Sequence, residues 1–324
     1  MKDETRRTQA DRDEKRGVTL RWVTVAIDVL LIAAILVGFA WWHHGARLTG
    51  NPAILVSPRY GHAYTVTDED FVADNGGERG LFDFEGRFQA ESPTITQSDK
   101  TTYYADDGAE IAIATYYLTS GEARVADVYI SDISRLKTAM ANDTYGKGQR
   151  EDAEAMTLRS DAIFSITGDN YSERWGGVVM RNGVLYSRKI DSDVCVLNWD
   201  GSVDMASQWS FDLAEAIDNG AYQIWSCGPI VLENGKVTAA AEKDQGLSRR
   251  RAALGYYEPG HYCFVIMEGE VTLEQLALNM QALGCESAYN LYGGHLAEMN
   301  FDGQVISSPQ EVNRTCADII LITK

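Results

Sequence analysis

Two hydrophobic rhythms divide the chain. Trp22 to Trp42 reads WVTVAIDVLLIAAILVGFAWW, 21 residues with a single charge at Asp28. An apolar run of that length crosses about 30 Å of hydrocarbon at about 1.5 Å per residue, which predicts a transmembrane helix. Beyond residue 101 the apolar stretches are short and bounded by turn residues. IAIATYY (111–117), RVADVYI (124–130), AIFSIT (162–167), VCVLNW (194–199), YCFVIME (262–268) and DIILI (318–322) read as strands, because β-branched and aromatic residues pack well on a pleated surface. GVVMRNGVLY (177–186) and PIVLENGKV (229–237) carry Asn182-Gly183 and Asn234-Gly235. Both central residues of a tight hairpin turn need positive φ, which Asn and Gly accept, so each stretch is expected to fold back on itself.

Helical spacing is rarer. Leu273, Leu276, Ala277, Met280 and Leu283 share one stripe, Thr272 and Gln275 form a capping box, and Gly284 supplies a left-handed stop, so a helix is expected over 273–283. A second is expected over 132–141, with Ile133, Leu136, Lys137 and Met140 on one face, and a third over 211–219 behind a Ser210 cap. Strands outnumber helices and include hairpins, which predicts an α+β fold with mixed sheets. Residues 45–100 are polar and irregular. The chain thus divides into a tail (1–21), an anchor (22–42), a stalk or extension (43–100) and one domain (101–324).

Charge sets the orientation. Lys2, Arg6, Arg7, Arg12, Lys15, Arg16 and Arg21 precede the apolar run, whereas Arg47 stands alone shortly after it. The positive-inside rule places the N-terminus in the cytoplasm and the domain outside a single-pass cell-membrane anchor, with the lipid bilayer as partner of residues 22–42. A signal peptide has a shorter apolar core and a small-residue cleavage site. Here the run ends in Trp41 and Trp42, which suit an interfacial belt. The net charge is −18, and the part after residue 44 holds 22 basic and 41 acidic residues, a balance of −19. Such a surface repels phosphate backbones and excludes nucleic acid as a partner.

Generic catalytic signatures are absent: there is no P-loop, dinucleotide fingerprint, GxSxG elbow or HExxH pair. The cysteines, Cys195, Cys227, Cys263, Cys285 and Cys316, show no CxxC spacing, and those in apolar runs read as buried thiols. Outside the juxtamembrane and stalk regions the histidines are His261 and His295, too far apart in sequence to signal zinc. No metal or cofactor is expected.

The informative stretches are VADVYISDISRLKTAMANDTYG (125–146), GDNYSERWGGVVMRNGVLY (168–186), WSCGPIVLENGK (225–236) and the run from Arg249 to Lys324, which holds RRRAALG, EPGHYCFVIMEG, AYNLYGGHLAEM, FDGQVISSP and RTCADIILI. In this order they resemble the phosphodiester glycosidase family, over roughly residues 101–323. The resemblance implies an α+β domain that cleaves the bond between a sugar's anomeric carbon and a phosphodiester oxygen, with a glycan or sugar phosphate as substrate. Bacterial relatives are often tied to exopolysaccharide or envelope glycopolymers. Such a reaction needs a carboxylate at an oxocarbenium-like centre and cations or N–H donors at the departing phosphate. Carried over by motif, Arg251 is the phosphate-facing cation, Asn290 orients the substrate, Gly293 and Gly294 let backbone approach it, and Asp169 and Glu268 are the acids. Tyr292 and His295 complete the substrate-binding loop.

The sequence also departs from the family pattern. Asn-Leu-Asp-Gly-Gly, followed by a small polar residue, becomes Asn290-Leu291-Tyr292-Gly293-Gly294 followed by His295 and Leu296. Asn-Gly-Asp becomes Thr167-Gly168-Asp169, and Asp-Gly-Arg becomes Glu268-Gly269-Glu270. A neutral phenol, with its ordinary pKa near 10, does not replace a carboxylate's charge at pH 7. The reading is therefore a membrane-anchored hydrolase of a glycosyl phosphodiester, or else a degenerate relative that binds glycans or an envelope partner with Tyr292 as a stacking surface.

Overall fold

The computed structural model describes residues 22–38, 54–55, 88, 90–98, 100–174, 176–243, 248–307 and 315–324. The chain divides into two compact units, 1–50 and 51–324. In the first, residues 22–38 are helical with exposed side chains. Among the described residues no helix is long and apolar enough to cross a membrane. The expected span's last residues (39–42), the basic tail (1–21) and most of the expected stalk lie outside the described residues.

The second unit is α+β and is built on three large antiparallel sheets, beside a two-stranded pair of Glu151–Asp152 and Thr315–Cys316. The largest has nine strands, in the order Lys236–Val237, Ile230–Glu233, Ser287–Leu291, Arg249–Glu258, His261–Val271, Gly121–Ile130, Ala109–Leu118, Thr101–Ala105 and Thr94–Gln97. A six-stranded sheet runs Ile54–Leu55, Val184–Arg188, Val178–Arg181, Ala221–Trp225, Val194–Asn198, Val203–Ala206. A five-stranded sheet runs Gln304–Val305, Met299–Phe301, Ala162–Thr167, Asp318–Thr323, Leu136–Met140. Two of these strands, Ile54–Leu55 and Thr94–Gln97, begin the sheets before residue 101.

One core joins all three. Phe264 and Ile266 from the large sheet meet Phe164, Ile166, Ile320 and Ile322 from the five-stranded sheet and Leu197 and Trp225 from the six-stranded one. The alternate residues Cys263, Val265 and Met267 face the other way, into a second core under the helix Leu273–Ala282. Both faces of this central strand are thus buried, which is why its sequence is continuously apolar rather than alternating. The helix carries the expected capping box, with Thr272 Oγ1 accepting from Gln275 N at 3.1 Å and Gln275 Oε1 from Thr272 N at 2.9 Å. Its buried Leu273, Leu276 and Met280 contribute about 1.5–3 kcal/mol each.

The Asn-Gly hairpins form as expected, with φ of 51° and 78° at Asn182 and Gly183 and 50° and 69° at Asn234 and Gly235. Two helix expectations are corrected. Residues 132–141 form a 3₁₀ turn, Ile133–Arg135, then the strand Leu136–Met140, which pairs with Asp318–Thr323, and Ala141 opens a second 3₁₀ turn. Leu136, Thr138 and Met140 are buried while Lys137 is exposed, so the apolar spacing also satisfies a strand period, and the open sheet edge takes it. The third helix spans Leu213–Asp218 and is capped by Asp212, not Ser210.

A buried ion cluster ties the smaller sheets together. Arg181 donates from Nε to Asp318 Oδ2 at 2.8 Å and from Nη2 to Asp169 Oδ2 at 3.1 Å. All three side chains are almost wholly buried. Nη1 donates to the carbonyls of Met180 and Ile224, and the guanidinium lies over the Trp225 and Tyr171 rings. Asp318 Oδ1 accepts from Asp169 N at 2.6 Å. Burial pushes the Asp318 carboxyl up to about 6, against the opposing pull of Arg181.

Arg181→Met leaves two buried carboxylates without their cation and is expected to cost about 3–5 kcal/mol at pH 7. Unpaired buried carboxylates have folded-state pKa values above their unfolded ones. Folding stability from such groups is greatest below the unfolded value near 4 and declines as pH rises through the folded value. The deficit is therefore expected to shrink as pH falls from 7 to 5, measured by denaturant unfolding of both proteins.

Candidate functional site

The strand Ser287–Leu291 delivers the chain into a cavity of about 640 Å³. Asn290 and Leu291 pair with Ala253 and Ala252 of Arg249–Glu258, so the loop that follows, Tyr292-Gly293-Gly294-His295, lies beside Arg249, Arg250 and Arg251 on the cavity wall. The rest of the wall comes from Asn170, Glu173 of the short helix Tyr171–Arg174, Arg150, Cys227 and Pro229. Backbone bonds join the walls: Tyr292 N donates to Gly168 O at 2.9 Å, and Asn290 N to Pro229 O at 3.2 Å.

The two central glycines are required for different reasons. At Gly293 a Cβ would sit 2.6 Å from the carbonyl oxygen of Arg250 and 3.1 Å from the Arg251 Cα, so only a bare backbone fits against that strand. At Gly294 there is open space, but φ is +69°, a conformation that L side chains rarely adopt. Gly228 makes the tightest approach, its notional Cβ falling 1.9 Å from the Asn290 carbonyl oxygen.

A bulge shapes the arginine wall. Arg250 pairs with Glu270 and Ala252 with Ile266, so Met267, Glu268 and Gly269 face Arg251 alone. Arg250 is buried and spent on structure, donating to Ala297 O at 2.9 Å and to Glu268 Oε2 at 2.5 Å. Arg251 is half-buried and donates from Nε to Val271 O at 3.3 Å. Arg249 is exposed.

Six residues expected at the site line this cavity: Arg251, Asn290, Tyr292, Gly293, Gly294 and His295, the last exposed at its rim. Asp169 and Glu268 do not line it. Asp169 is held under the floor by Arg181, with its carboxylate accepting from Asn170 N and Ser226 N. Glu268 stands behind Arg250. The expectation that these two acids face the substrate beside Arg251 is corrected in this respect, because each is drawn to an arginine that is itself buried.

Among the described residues the acids on the cavity wall are Glu173 and Glu270. Glu173 Oε1 pairs with Arg150 Nη2 at 2.7 Å, and its Oε2 accepts from the Tyr292 hydroxyl at 2.7 Å. Sequence reasoning passed over Glu173 and Asn170 although both lie in the GDNYSER stretch that carried the resemblance. Nothing in the sequence pointed to Arg150. His261 is remote in role, buried against Asp127 with Nε2 2.6 Å from Oδ1. Cys195, Cys263, Cys285 and Cys316 are buried free thiols and Cys227 is partly exposed. Among the described residues no group of three or more His, Cys, Asp or Glu is placed to hold a metal ion.

Among the described residues four arginines and two glutamates line the cavity; with Arg250 paired to Glu268 and Arg150 to Glu173, Arg249 and Arg251 against Glu270 leave the lining net positive in a chain of net charge −18, which favours an anion. The side-chain oxygens of Asn170 and Asn290 are buried and accept no hydrogen bond from the described residues. A buried acceptor left unmade costs about 1–3 kcal/mol, which a hydroxyl-bearing ligand would recover.

The family model described as phosphodiester glycosidase matches residues 160–323. No curated protein sequence matches the chain. Among solved structures, the zebrafish N-acetylglucosamine-1-phosphodiester alpha-N-acetylglucosaminidase catalytic domain, auto-inhibited by its pro-peptide, superposes with a TM-score of 0.53 at 17% identity, covering 86% of this chain and 97% of that one. A hypothetical protein from Synechocystis gives a TM-score of 0.53 at 13% identity over 72% of this chain, which spans 64% of that protein's length. At these identities the likeness is one of fold.

Gly294→Ala is expected to lower stability by about 1–2 kcal/mol through its left-handed backbone alone. Gly293→Ala is expected to cost about 1–3 kcal/mol and to displace the Arg250–Arg251 backbone. Denaturant unfolding checks the stabilities, and amide exchange at residues 249–252 checks the displacement, which Gly294→Ala should not produce.

Proposed function

Because the chain belongs to the phosphodiester glycosidase family, we propose that it hydrolyses the bond between a sugar's anomeric carbon and a phosphodiester oxygen. The substrate is an envelope glycopolymer or its precursor, met on the outer side of a membrane that the chain enters through residues 22–42. The observation that carries this reading is the arginine-rich cavity with two unsatisfied amide oxygens in an otherwise acidic chain. Arg251 meets the phosphodiester and stabilises the charge that gathers on it as the glycosidic bond breaks. Asn290 and Asn170 accept from sugar hydroxyls. Asp169 and Glu268 act as positioning residues, the first by holding Asn170 and the second by holding Arg250.

A second reading has its own support: the central loop carries Tyr292 where family members carry an acid, as in a binding module that has lost catalysis. The two are separated with glycosyl 1-(4-nitrophenyl phosphates), in which glycosidic cleavage releases 4-nitrophenyl phosphate, detected through an added phosphatase. The enzyme reading expects release by the full-length chain. The binding reading expects retention of the sugar phosphate with no release.

Arg251→Ala removes a charge-assisted contact worth about 1.5–3 kcal/mol and is expected to lower kcat/KM by roughly 10–100-fold. The anchor is checked by fractionation. The full chain is expected to remain with membranes after an alkaline wash, and a chain lacking residues 1–44 to be released.

A further inference from the structure

The loss of the acid at position 292 leaves the cavity without a carboxylate on its double-glycine loop, yet the fold brings one there from another element. Glu173, 119 residues away in sequence, accepts a hydrogen bond from the Tyr292 hydroxyl at 2.7 Å. Both side chains line the cavity that holds Arg251. Resting on the glycosidase reading, we propose that Tyr292 is the catalytic nucleophile and Glu173 its general base.

A phenol backed by a carboxylate can take over the part of a carboxylate nucleophile in this place. A carboxylate nucleophile approaching an anomeric carbon that bears a phosphodiester is repelled by the substrate's own charge. A phenol is neutral on approach and gains nucleophilicity only as its proton leaves, and tyrosine serves as the glycosyl acceptor in sialidases, which cleave another anionic sugar. Glu173 lies within hydrogen-bonding distance of that proton, and Arg150, 2.7 Å from its other oxygen, fixes the carboxylate's orientation. Gly293 and Gly294 have no side chains to crowd the phenol from the following positions.

In the first step Tyr292 Oη bonds to the anomeric carbon as the carbon–oxygen bond to phosphorus breaks. The bonding pair departs with the phosphate, and the phenolic proton passes to Glu173 Oε2. The phosphomonoester leaves against Arg251, and Glu173 gives its proton to it or to solvent. In the second step Glu173 takes a proton from water as the water oxygen bonds to the anomeric carbon. It returns that proton to Tyr292 Oη as the aryl–glycosyl bond breaks. The balance is one water consumed, with free sugar and phosphomonoester formed and net retention of configuration.

The test uses the full-length chain and a panel of α- and β-linked glucosyl, galactosyl, mannosyl and N-acetylglucosaminyl 1-(4-nitrophenyl phosphates). On the substrate that the wild-type chain turns over, Tyr292→Phe is expected to lower kcat by at least about 10³-fold with KM changed less than about threefold. Glu173→Gln is expected to lower kcat by about 10²-fold or more. In Tyr292→Ala, sodium azide is expected to enter the vacated space and yield a glycosyl azide of inverted anomeric configuration, identified by mass spectrometry and NMR. A tyrosine that merely braces the wall predicts no such product. Near-wild-type kcat in Tyr292→Phe, or absence of the glycosyl azide, overturns the nucleophile assignment while wild-type turnover leaves the glycosidase reading standing. If the wild-type chain releases nothing from any member of the panel, the glycosidase reading falls and the assignment with it.

Discussion

Arg181, between Asp169 and Asp318, is the interaction on which the arrangement of the cavity depends. It extends from the six-stranded sheet to carboxylates just beyond the end of one strand and at the start of another in the five-stranded sheet. Three charges taken out of water are a liability unless their geometry is fully satisfied. Here the guanidinium reaches both carboxylates and two backbone carbonyls, so the two sheets are held at one relative setting. The substrate wall hangs from the same cluster. Asn170 follows Asp169 directly, Ser226 donates to the Asp169 carboxylate ahead of the Cys227–Pro229 segment, and Tyr292 bonds to the backbone of Gly168.

Close backbone packing is the second constraint. The loop after Ser287–Leu291 lies directly on the carbonyl of Arg250, and the Gly228 segment lies directly on Asn290. No side chain fits at either crossing, and the missing volume lets three chain segments converge on one cavity. The bulge at Met267–Gly269 then separates the fates of neighbouring arginines, with Arg250 buried on Glu268 and Arg251 left on the cavity wall. Three consecutive arginines in a sequence give no indication of this division.

Local signals transferred well from sequence to fold. Both Asn-Gly turns, the capping box at Thr272 and the apolar strand that contains Cys263 depend on neighbours a few residues away, and each formed where its pattern lay. The helix expected at 132–141 failed because Leu136 and Met140, four residues apart, fit a helical and a strand period alike, and the unpaired edge of Asp318–Thr323 favoured the strand. The strands Ala221–Trp225 and Met299–Phe301 gave little local signal and owe their form to the partners on each side.

By itself the sequence determined the α+β class, the anion-repelling surface charge, the family and most residues of the cavity loop, because each of these is carried by composition or by short motifs. Which acids reach the cavity was decided by the tertiary structure alone. Asp169 and Glu268 are withdrawn by arginines that other strands supply, while Glu173 is carried to Tyr292 by a helix more than a hundred residues away. A carboxylate goes to the cation or donor that the fold places beside it, and that proximity in space leaves no mark on spacing along the chain.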